Sequence, residues 1–323
     1  MSERILVVRP DRLGDVILST PVLQALRERH PSAYIVFLVR KGLGELWSSG
    51  GRVDRVWEWE PGSLVESVRQ MYAQRFDRVV HLQVHPELAW ASFFARIPKR
   101  VGPLSKIYSW LVLNAGVRQH RSRSDRNEAQ YGLELAGVGD FASARCWVDL
   151  RAQDLERIRE RLRAQGVEQK FLVIHPGMGG SALNWSADRY AELAHVLECQ
   201  GVCVVWSFGP QDAEMRAKIG TRAKLIWEGS AHARELAAFL AQARLVVAPS
   251  TGPLHLASAV GTRVVGVYSP LRAHHPRRWG VWGRTAQDSE MCAPCVSEAQ
   301  ALEQGLDAVL PLGAVLSAVL RLY

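Results

Sequence analysis

Short β-branched runs alternate with helix-like stretches along most of this chain, and that alternation limits the fold more than any other feature. In the first half "RILVV" leads into "DVILSTPVLQALRERH", whose apolar residues fall at helical spacing, and "YIVFLV", "RVDRVWEW" and "FDRVVHL" follow. "PKRVG" reads as one more short strand. Such a βαβα rhythm requires a parallel sheet with helices on both faces. It restarts at "KFLVIHPG" and runs through "DRYAELAHVLECQ", "VCVVWSF", "DAEMRAKIG", "KLIWEG", "ARELAAFLAQA", "RLVVAPS", "GPLHLASAVG" and "RVVGVYSP". The tail "LDAVLPLGAVLSAVLRLY" reads as a closing amphipathic helix. The expected fold is α/β, with two Rossmann-like, doubly wound domains over residues 1–150 and 151–323. Ligands of such sheets sit at the carboxyl ends of the strands, so the two halves are expected to face a central cleft.

Between the two series the pattern lapses. The stretch 102–140 mixes apolar turns with a basic cluster at Arg118, Arg121, Arg123 and Arg126, and reads as a long functional loop or flap followed by a helix. "ARCWVDL" and the charged helix "AQDLERIRERLRAQ" look like the passage between domains. The net charge of +8 suggests anionic partners, although a merely soluble basic surface would carry it equally well. Nothing in the pattern resembles a helix-turn-helix, an RNA-recognition motif or a zinc finger, so nucleic acid is not the expected partner. Five scattered cysteines argue for a reducing compartment rather than a disulfide framework. Cys292 and Cys295 form one C-x-x-C, but a structural zinc site needs four ligands and no second pair stands nearby. "MSERILVV" lacks a long apolar h-region, and no apolar run approaches the ~20 residues of a spanning helix. The expected location is cytoplasmic, soluble or peripheral at the membrane.

Four stretches at strand ends could carry chemistry. "RPDRLGDVILSTPVL" places Asp11 and Asp15 around a glycine where a strand turns into a helix, as helix-start acids or as an acid–base pair. "HPGMGGSALNWSADRY" offers His175, Gly177, Gly180 and Ser181 in a glycine-rich loop, where backbone N–H groups could approach an anion or simply turn the chain. "PSTGPLHLASA" opens a helix with Ser250, Thr251, Gly252 and His255, suited to phosphate or to ordinary capping. "FGPQDAEM" presents Asp212 and Glu214, able to accept ribose hydroxyls or to start a solvated helix. The last three lie in one domain, and together they describe a nucleotide-diphosphate site that Asp11 and Asp15 would face.

These residues resemble the lipopolysaccharide heptosyltransferases of glycosyltransferase family 9. "RPDRLGDVILSTPVLQALRERHP" resembles the family's opening, "VIHPGMGGSALNWSADRYAELA" its donor loop, and "VVAPSTGPLHLASAVGTRVVGVYSP" its TGP-x-H signature. "KIYSWLVLNAGVRQHRSRSDRNEAQYGLEL" is similar to the middle segment of some members, and the likeness runs across nearly the whole chain. The resemblance implies a GT-B architecture, with the acceptor on the N-terminal domain and the nucleotide-sugar on the C-terminal one. It implies inverting transfer, without metal or other cofactor, of a heptose from ADP-heptose to a lipopolysaccharide-core or other acidic glycolipid. It assigns the base to Asp15, with Asp11 as a second candidate or as a charge that raises its neighbour's proton affinity. Ser250–Gly252 would stabilise the leaving diphosphate, with His255 orienting that loop or touching phosphate. Arg12, Lys106, Arg118, Arg121 and Arg123 become acceptor-binding candidates. "IYSWLVL" would meet the lipid interface at the inner membrane leaflet.

Two departures stand out. Many relatives carry a phosphate-binding lysine where this chain has Leu183, and an acid where it has Ser250. Loss of a cation should weaken donor binding unless Arg189, Arg263 or a backbone nest compensates. The alternative reading is a non-catalytic nucleotide or glycolipid binder of the same fold.

Overall fold

β1 (Arg4–Arg9) is the centre of the first sheet, and its residues Ile5–Val8 are wholly excluded from solvent. Both faces of a parallel sheet are covered, so its inner strands read as continuous apolar runs rather than alternating ones. The computed structural model describes residues 2–48, 50–138, 143–179, 183–229 and 232–323. The chain divides into two units, Met1–Asp149 and Leu150–Tyr323.

In the first unit β1 is followed by α1 (Leu13–Arg29), β2 (Tyr34–Arg40), β3 (Arg55–Trp59), α2 (Leu64–Gln74), β4 (Arg78–His81) and α3 (Pro86–Phe94). Then come β5 (Lys99–Pro103), α4 (Ile107–Val112), β6 (Ala115–Val117) and α5 (Glu128–Ala136). All pairs are parallel and the order is β3-β2-β1-β4-β5-β6. The stretch expected to be a flap therefore supplies an edge strand. β6 pairs with β5 through Val101–Ala115, Gly102–Gly116 and Pro103–Val117, and three residues are too few to leave a readable pattern.

The second unit repeats this plan. Its elements are α6 (Ala152–Ala164), β7 (Phe171–Ile174), α7 (Ala187–Cys199), β8 (Cys203–Ser207), α8 (Ala213–Ile219), β9 (Ile226–Trp227), α9 (Ala233–Leu240), β10 (Leu245–Pro249), α10 (Gly252–Ala259) and β11 (Arg263–Val267). They continue as α11 (Pro276–Trp279), β12 (Ser289–Cys292), α12 (Glu298–Gln304), α13 (Leu306–Val309) and α14 (Leu312–Leu322). The order β9-β8-β7-β10-β11-β12 reproduces that of the first sheet strand for strand. One expectation is corrected. The tail is two helices, because Pro311 has no N–H to continue the first. The segment holding Cys292 is the edge strand β12, paired with β11 through Val267–Cys292.

In both sheets the chain reverses its direction of winding between the first and fourth strands, at β1/β4 and at β7/β10. That point is where an open α/β sheet leaves a crevice at its carboxyl edge.

Pro21 lies inside α1, which leaves the Ile17 carbonyl without its usual backbone donor. The Thr20 hydroxyl donates to that carbonyl at 2.8 Å. The Thr20 hydroxyl oxygen also accepts the Trp147 N–H at 3.1 Å, and the Trp147 indole N–H donates to the Thr20 carbonyl at 3.3 Å. Trp47 in turn donates its indole N–H to the Trp147 carbonyl at 2.9 Å. One threonine thus repairs a helix and seats the end of the unit. Thr20→Val keeps the shape but strands two buried backbone groups. Urea denaturation is expected to show a loss of about 1–3 kcal/mol for each.

Candidate active site

Arg9, the last residue of β1, is 3% exposed and gathers the first site around it. Its Nε lies 2.8 Å from Asp11 Oδ2, its Nη2 3.1 Å from Asp15 Oδ1, and its Nη1 3.1 Å from Glu128 Oε1. Nη1 also donates to the Leu82 carbonyl, directly after β4, at 3.3 Å. Burial works against the guanidinium's charge, but Glu128, Asp11 and Asp15 outweigh it and hold the proton more firmly than usual. Arg121 adds a second guanidinium, donating to Glu128 Oε1 at 2.7 Å and to the Leu82 carbonyl at 2.9 Å. The cluster sits at the β1/β4 crossover of the first sheet.

The three carboxylates differ in access. The Glu128 side chain is 2% exposed, whereas Asp11 is 19% and Asp15 23% exposed. Burial pushes the Asp11 carboxyl up to about 6; Arg9 and Arg121 pull it down, and Asp15 and Glu128 add to the rise. Asp15 stands in the first turn of α1, with one oxygen on Arg9 and a partly open carboxylate. Geometrically this is a carboxylate aimed by a fixed cation, able to accept a proton from a group at the sheet edge.

The cationic candidates separate into two groups. Arg121 belongs to the cluster. Arg12, Lys106, Arg118 and Arg123 are exposed, and Arg118 lies over the Trp110 ring at 5.3 Å.

At the β7/β10 crossover the arrangement is mostly backbone and neutral groups. His175 is buried, and burial lowers its pKa to about 4 against the pull of Asp212. Its Nδ1 meets Ser207 Oγ at 3.3 Å and its Nε2 lies 3.6 Å from Asp212 Oδ2. Asp212 Oδ2 accepts the Gly209 N–H at 2.6 Å. The Asp212 carboxylate occupies the space a Cβ on Gly177 would need, so only glycine lets the two loops close. Asp212 thus locks the loop with one oxygen, while Oδ1 has no hydrogen-bond partner among the described residues. Gly180 and Ser181 lie outside the described residues. Glu214 points into solvent, paired with Lys218 at 2.7 Å.

Thr251 occupies the N-cap of α10, but among the described residues no side chain caps that helix; its hydroxyl donates to the Pro249 carbonyl at 3.2 Å. The N–H groups of Gly252 and Leu254 in the first turn, Pro253 having none, therefore present an uncompensated positive end. His255 is 4% exposed, kept neutral with a pKa of about 4 by burial, and its Nδ1 finds no partner among the described residues. Ser250 lies beside Tyr268, whose hydroxyl donates to the Trp279 carbonyl at 2.7 Å.

Leu183 is partly buried against the second unit's core, so that position packs rather than carries charge. Arg189 is committed to Glu192 and to the Asp307 carbonyl. Arg263 starts β11 and donates to the Leu322 carbonyl, at the opposite edge of the sheet from α10's first turn. Neither compensates for a missing cation. The segment after β11, "LRAHHPRRWG", carries Arg272, Arg277 and Arg278, and Tyr268, beside Ser250, is bonded to it. Sequence reasoning missed this segment, although its basic run was visible. It also missed Arg9 and Glu128, which gave no local signal. Among the described residues no group of three or more His, Cys, Asp or Glu could hold a metal ion.

The sequence profile of glycosyltransferase family 9 (heptosyltransferase) matches residues 65–305. A Haemophilus influenzae protein described as a glycosyltransferase is 28% identical over 322 residues, 92% of this chain and 91% of that one. The fold matches a glycosyltransferase family 9 protein of Veillonella parvula, with a TM-score of 0.85 at 21% identity over 99% of this chain and 97% of that one. It matches the Escherichia coli ADP-heptose lipopolysaccharide heptosyltransferase II with a TM-score of 0.81 at 20% identity, over 99% and 98% of the two chains. These matches give the GT-B fold.

Removing Arg9 would leave Asp11, Asp15 and Glu128 without their shared cation. Arg9→Met is expected to destabilise the protein by about 3–5 kcal/mol, the usual cost of breaking one side of a buried ion pair, read by chemical denaturation at neutral pH.

Proposed function

The chain belongs to glycosyltransferase family 9, and we propose that it transfers a heptose from ADP-heptose to an acidic glycolipid of the lipopolysaccharide-core type. Glycosyl transfer is the family's reaction. The donor, the acceptor and the stereochemistry are our reading, and the activity for which the Escherichia coli relative is named supports the donor.

The single observation that carries the reading is the Asp15 carboxylate, partly open and aimed by buried Arg9 at the β1/β4 crossover. In the proposed step an acceptor hydroxyl attacks the anomeric carbon on the face opposite the diphosphate. The new bond forms between that oxygen and carbon. The bond from the anomeric carbon to the diphosphate oxygen breaks, and its electron pair leaves with ADP. Asp15 takes the hydroxyl proton, and the anomeric centre inverts. Asp11 shapes the field around that transfer and is the second candidate for the base.

The first unit would hold the acceptor, with Arg12, Lys106, Arg118 and Arg123 available to its phosphates and carboxylates. The second would hold the donor. The uncapped first turn of α10, with Ser250, Thr251 and Gly252, is suited to the diphosphate, and its N–H groups and dipole would stabilise the departing charge without a metal. His255, neutral at physiological pH, would contribute a hydrogen bond rather than a charge. Gly177 and His175 keep the donor loop closed through Asp212, whose Oδ1 is the atom able to accept a ribose hydroxyl. In place of the cation that Leu183 lacks, we assign Arg277, which is exposed on the segment bonded to Tyr268 beside Ser250.

Asp15→Asn is expected to lower kcat by about 10²–10⁴-fold, the range of general base catalysis, with ADP affinity retained in a tryptophan-fluorescence titration. Near-normal kcat would remove the base assignment, and loss of ADP binding would make the residue structural. A pH profile tests Asp11. Its carboxyl, raised to about 6, is ionised above that pH and protonated below it. An ionised Asp11 adds negative potential that draws the acceptor proton into the pocket, so kcat/KM is expected to fall as pH drops through about 6. Asp11→Asn should lower kcat/KM at pH above this point and abolish that step in the profile.

A further inference from the structure

A group that takes a proton from a substrate works best where the surrounding potential is negative. In the first unit that potential depends on a buried count of charges as well as on the two aspartates. Asp11 and Asp15 take Nε and Nη2 of Arg9, and Glu128 takes the third nitrogen, Nη1. The Glu128 side chain is the deepest of the three carboxylates and is buried too far to receive an acceptor hydroxyl itself.

Glu128 also has a partner of its own. Its Oε1 accepts from Arg121 at 2.7 Å as well as from Arg9 at 3.1 Å, so one carboxylate oxygen is shared between two guanidiniums. The Leu82 carbonyl is shared in the same way, by Arg9 Nη1 at 3.3 Å and Arg121 Nη2 at 2.9 Å. Two cations so close repel each other in a poorly screened interior unless an anion stands between them. The turn before α5 brings them there. Ser124 is buried in the left-handed region at φ 50°, a conformation that costs a non-glycine residue energy. Asn127 caps α5 through the Ala129 N–H at 3.0 Å, and the Tyr131 hydroxyl donates to Asp125 at 2.6 Å. Arg121 lies over the Tyr131 ring at 5.4 Å, and its Nε donates to Gln119 at 2.9 Å. Every nitrogen of Arg121 thus has a protein acceptor, which sets it apart from the exposed cations offered to an acceptor's phosphates.

Three carboxylates against two guanidiniums leave the cluster one negative charge in excess. Without Glu128 the count would be even, and Asp11 and Asp15 would face guanidiniums that nothing else neutralises. We propose that Glu128 is a positioning residue, balanced by Arg121, which pins Arg9 and keeps the proton-accepting pocket at Asp11 and Asp15 net negative. The proposal rests on the transferase reading and deepens it, because it says why the base is backed by a buried acid it does not touch. Asp11 reports the balance. The charges facing it are Arg9 from β1, Asp15 from α1, Glu128 from α5 and Arg121 from the turn before α5. The two guanidiniums favour its ionised form, and Asp15 and Glu128 oppose it.

The test follows the Asp11 carboxyl by NMR titration of the full chain labelled at its aspartate carboxyl carbons, the resonance being assigned by its loss in Asp11→Asn. The parent midpoint is expected at about 6. Glu128→Gln keeps the shape and removes a charge that opposes ionisation, so the midpoint should fall by about half a pH unit or more. Arg121→Gln removes a charge that favours ionisation, so the midpoint should rise by about as much. A purely structural role for the pair would not move the two midpoints in opposite directions, so movement in the same direction, or none, overturns the proposal. If Glu128→Gln does not fold, the rise in Arg121→Gln, whose guanidinium is nearer the surface, decides alone. Turnover is the second readout. The acid limb of kcat/KM should follow each midpoint, and Glu128→Gln should lower kcat at neutral pH by about two- to fivefold with ADP affinity retained. A shifted midpoint with unchanged kcat would overturn the positioning role. Opposed midpoints in a protein that moves no heptose from ADP-heptose would leave the charge balance standing and defeat only the donor assignment.

Discussion

A guanidinium withdrawn from water at the end of β1 sets the terms for the first unit. A buried cation is tolerated only when its charge and its N–H groups are met. Arg9 is met from four directions: the loop carrying Asp11, the first turn of α1 through Asp15, α5 through Glu128, and the Leu82 carbonyl after β4. None of these segments can shift without stranding a charge, so the cluster orders the sheet edge as well as binding it. The Asp15 carboxylate inherits that order, held by one oxygen on Arg9 at 3.1 Å. The rigidity that stabilises the fold is the same rigidity a proton acceptor needs if its geometry is to be set before substrate arrives.

The second unit uses the same strand order and the opposite electrostatics. Burial keeps His175 and His255 neutral, and the buried acid at the β7/β10 crossover, Asp212, closes the loops over Gly177. The first turn of α10 is left uncapped. A charge is missing on one side and supplied in excess on the other: the first cluster counts three carboxylates to two guanidiniums, whereas the second presents free N–H groups. Under the proposed function, one edge would receive a proton and the other an anion, which is the division of labour an inverting sugar transfer requires.

Much of this was legible in the sequence, because parallel strands are long apolar runs and strand-end loops concentrate glycine, serine and acids. Asp11, Asp15, Gly177, Ser250 and Thr251 all stood out by position. What stayed hidden depended on distance along the chain. Arg9 and Glu128 are separated by 119 residues, and neither has a local pattern that forecasts an ion pair. Asp212 suggested ribose recognition by its place after a strand, yet its first task is to fill the space beside Gly177, a contact no spacing rule reveals. β6 was missed because three residues, AGV, carry no periodicity of their own. The tail read as one helix because its apolar spacing continues across Pro311, where the backbone hydrogen bonding does not.

Leu183 shows how such a fold absorbs the loss of a charge. A lysine there would need its ammonium in solvent or on a phosphate, whereas leucine buries its side chain against the core beside Trp185, whose indole N–H is held by the Leu310 carbonyl. The exchange trades a ligand contact for packing. Under the proposed donor reading, other groups must then meet the diphosphate, and Arg189 and Arg263 are already engaged elsewhere. That leaves the amino end of α10, whose dipole is equivalent to about half a positive charge, and the basic segment after β11. Tyr268 stands between the two, beside Ser250 on one side and bonded to the Trp279 carbonyl on the other. If the donor's phosphates bind here as proposed, serine at position 250 serves better than an acid would, since a carboxylate beside the helix end would cancel its positive potential.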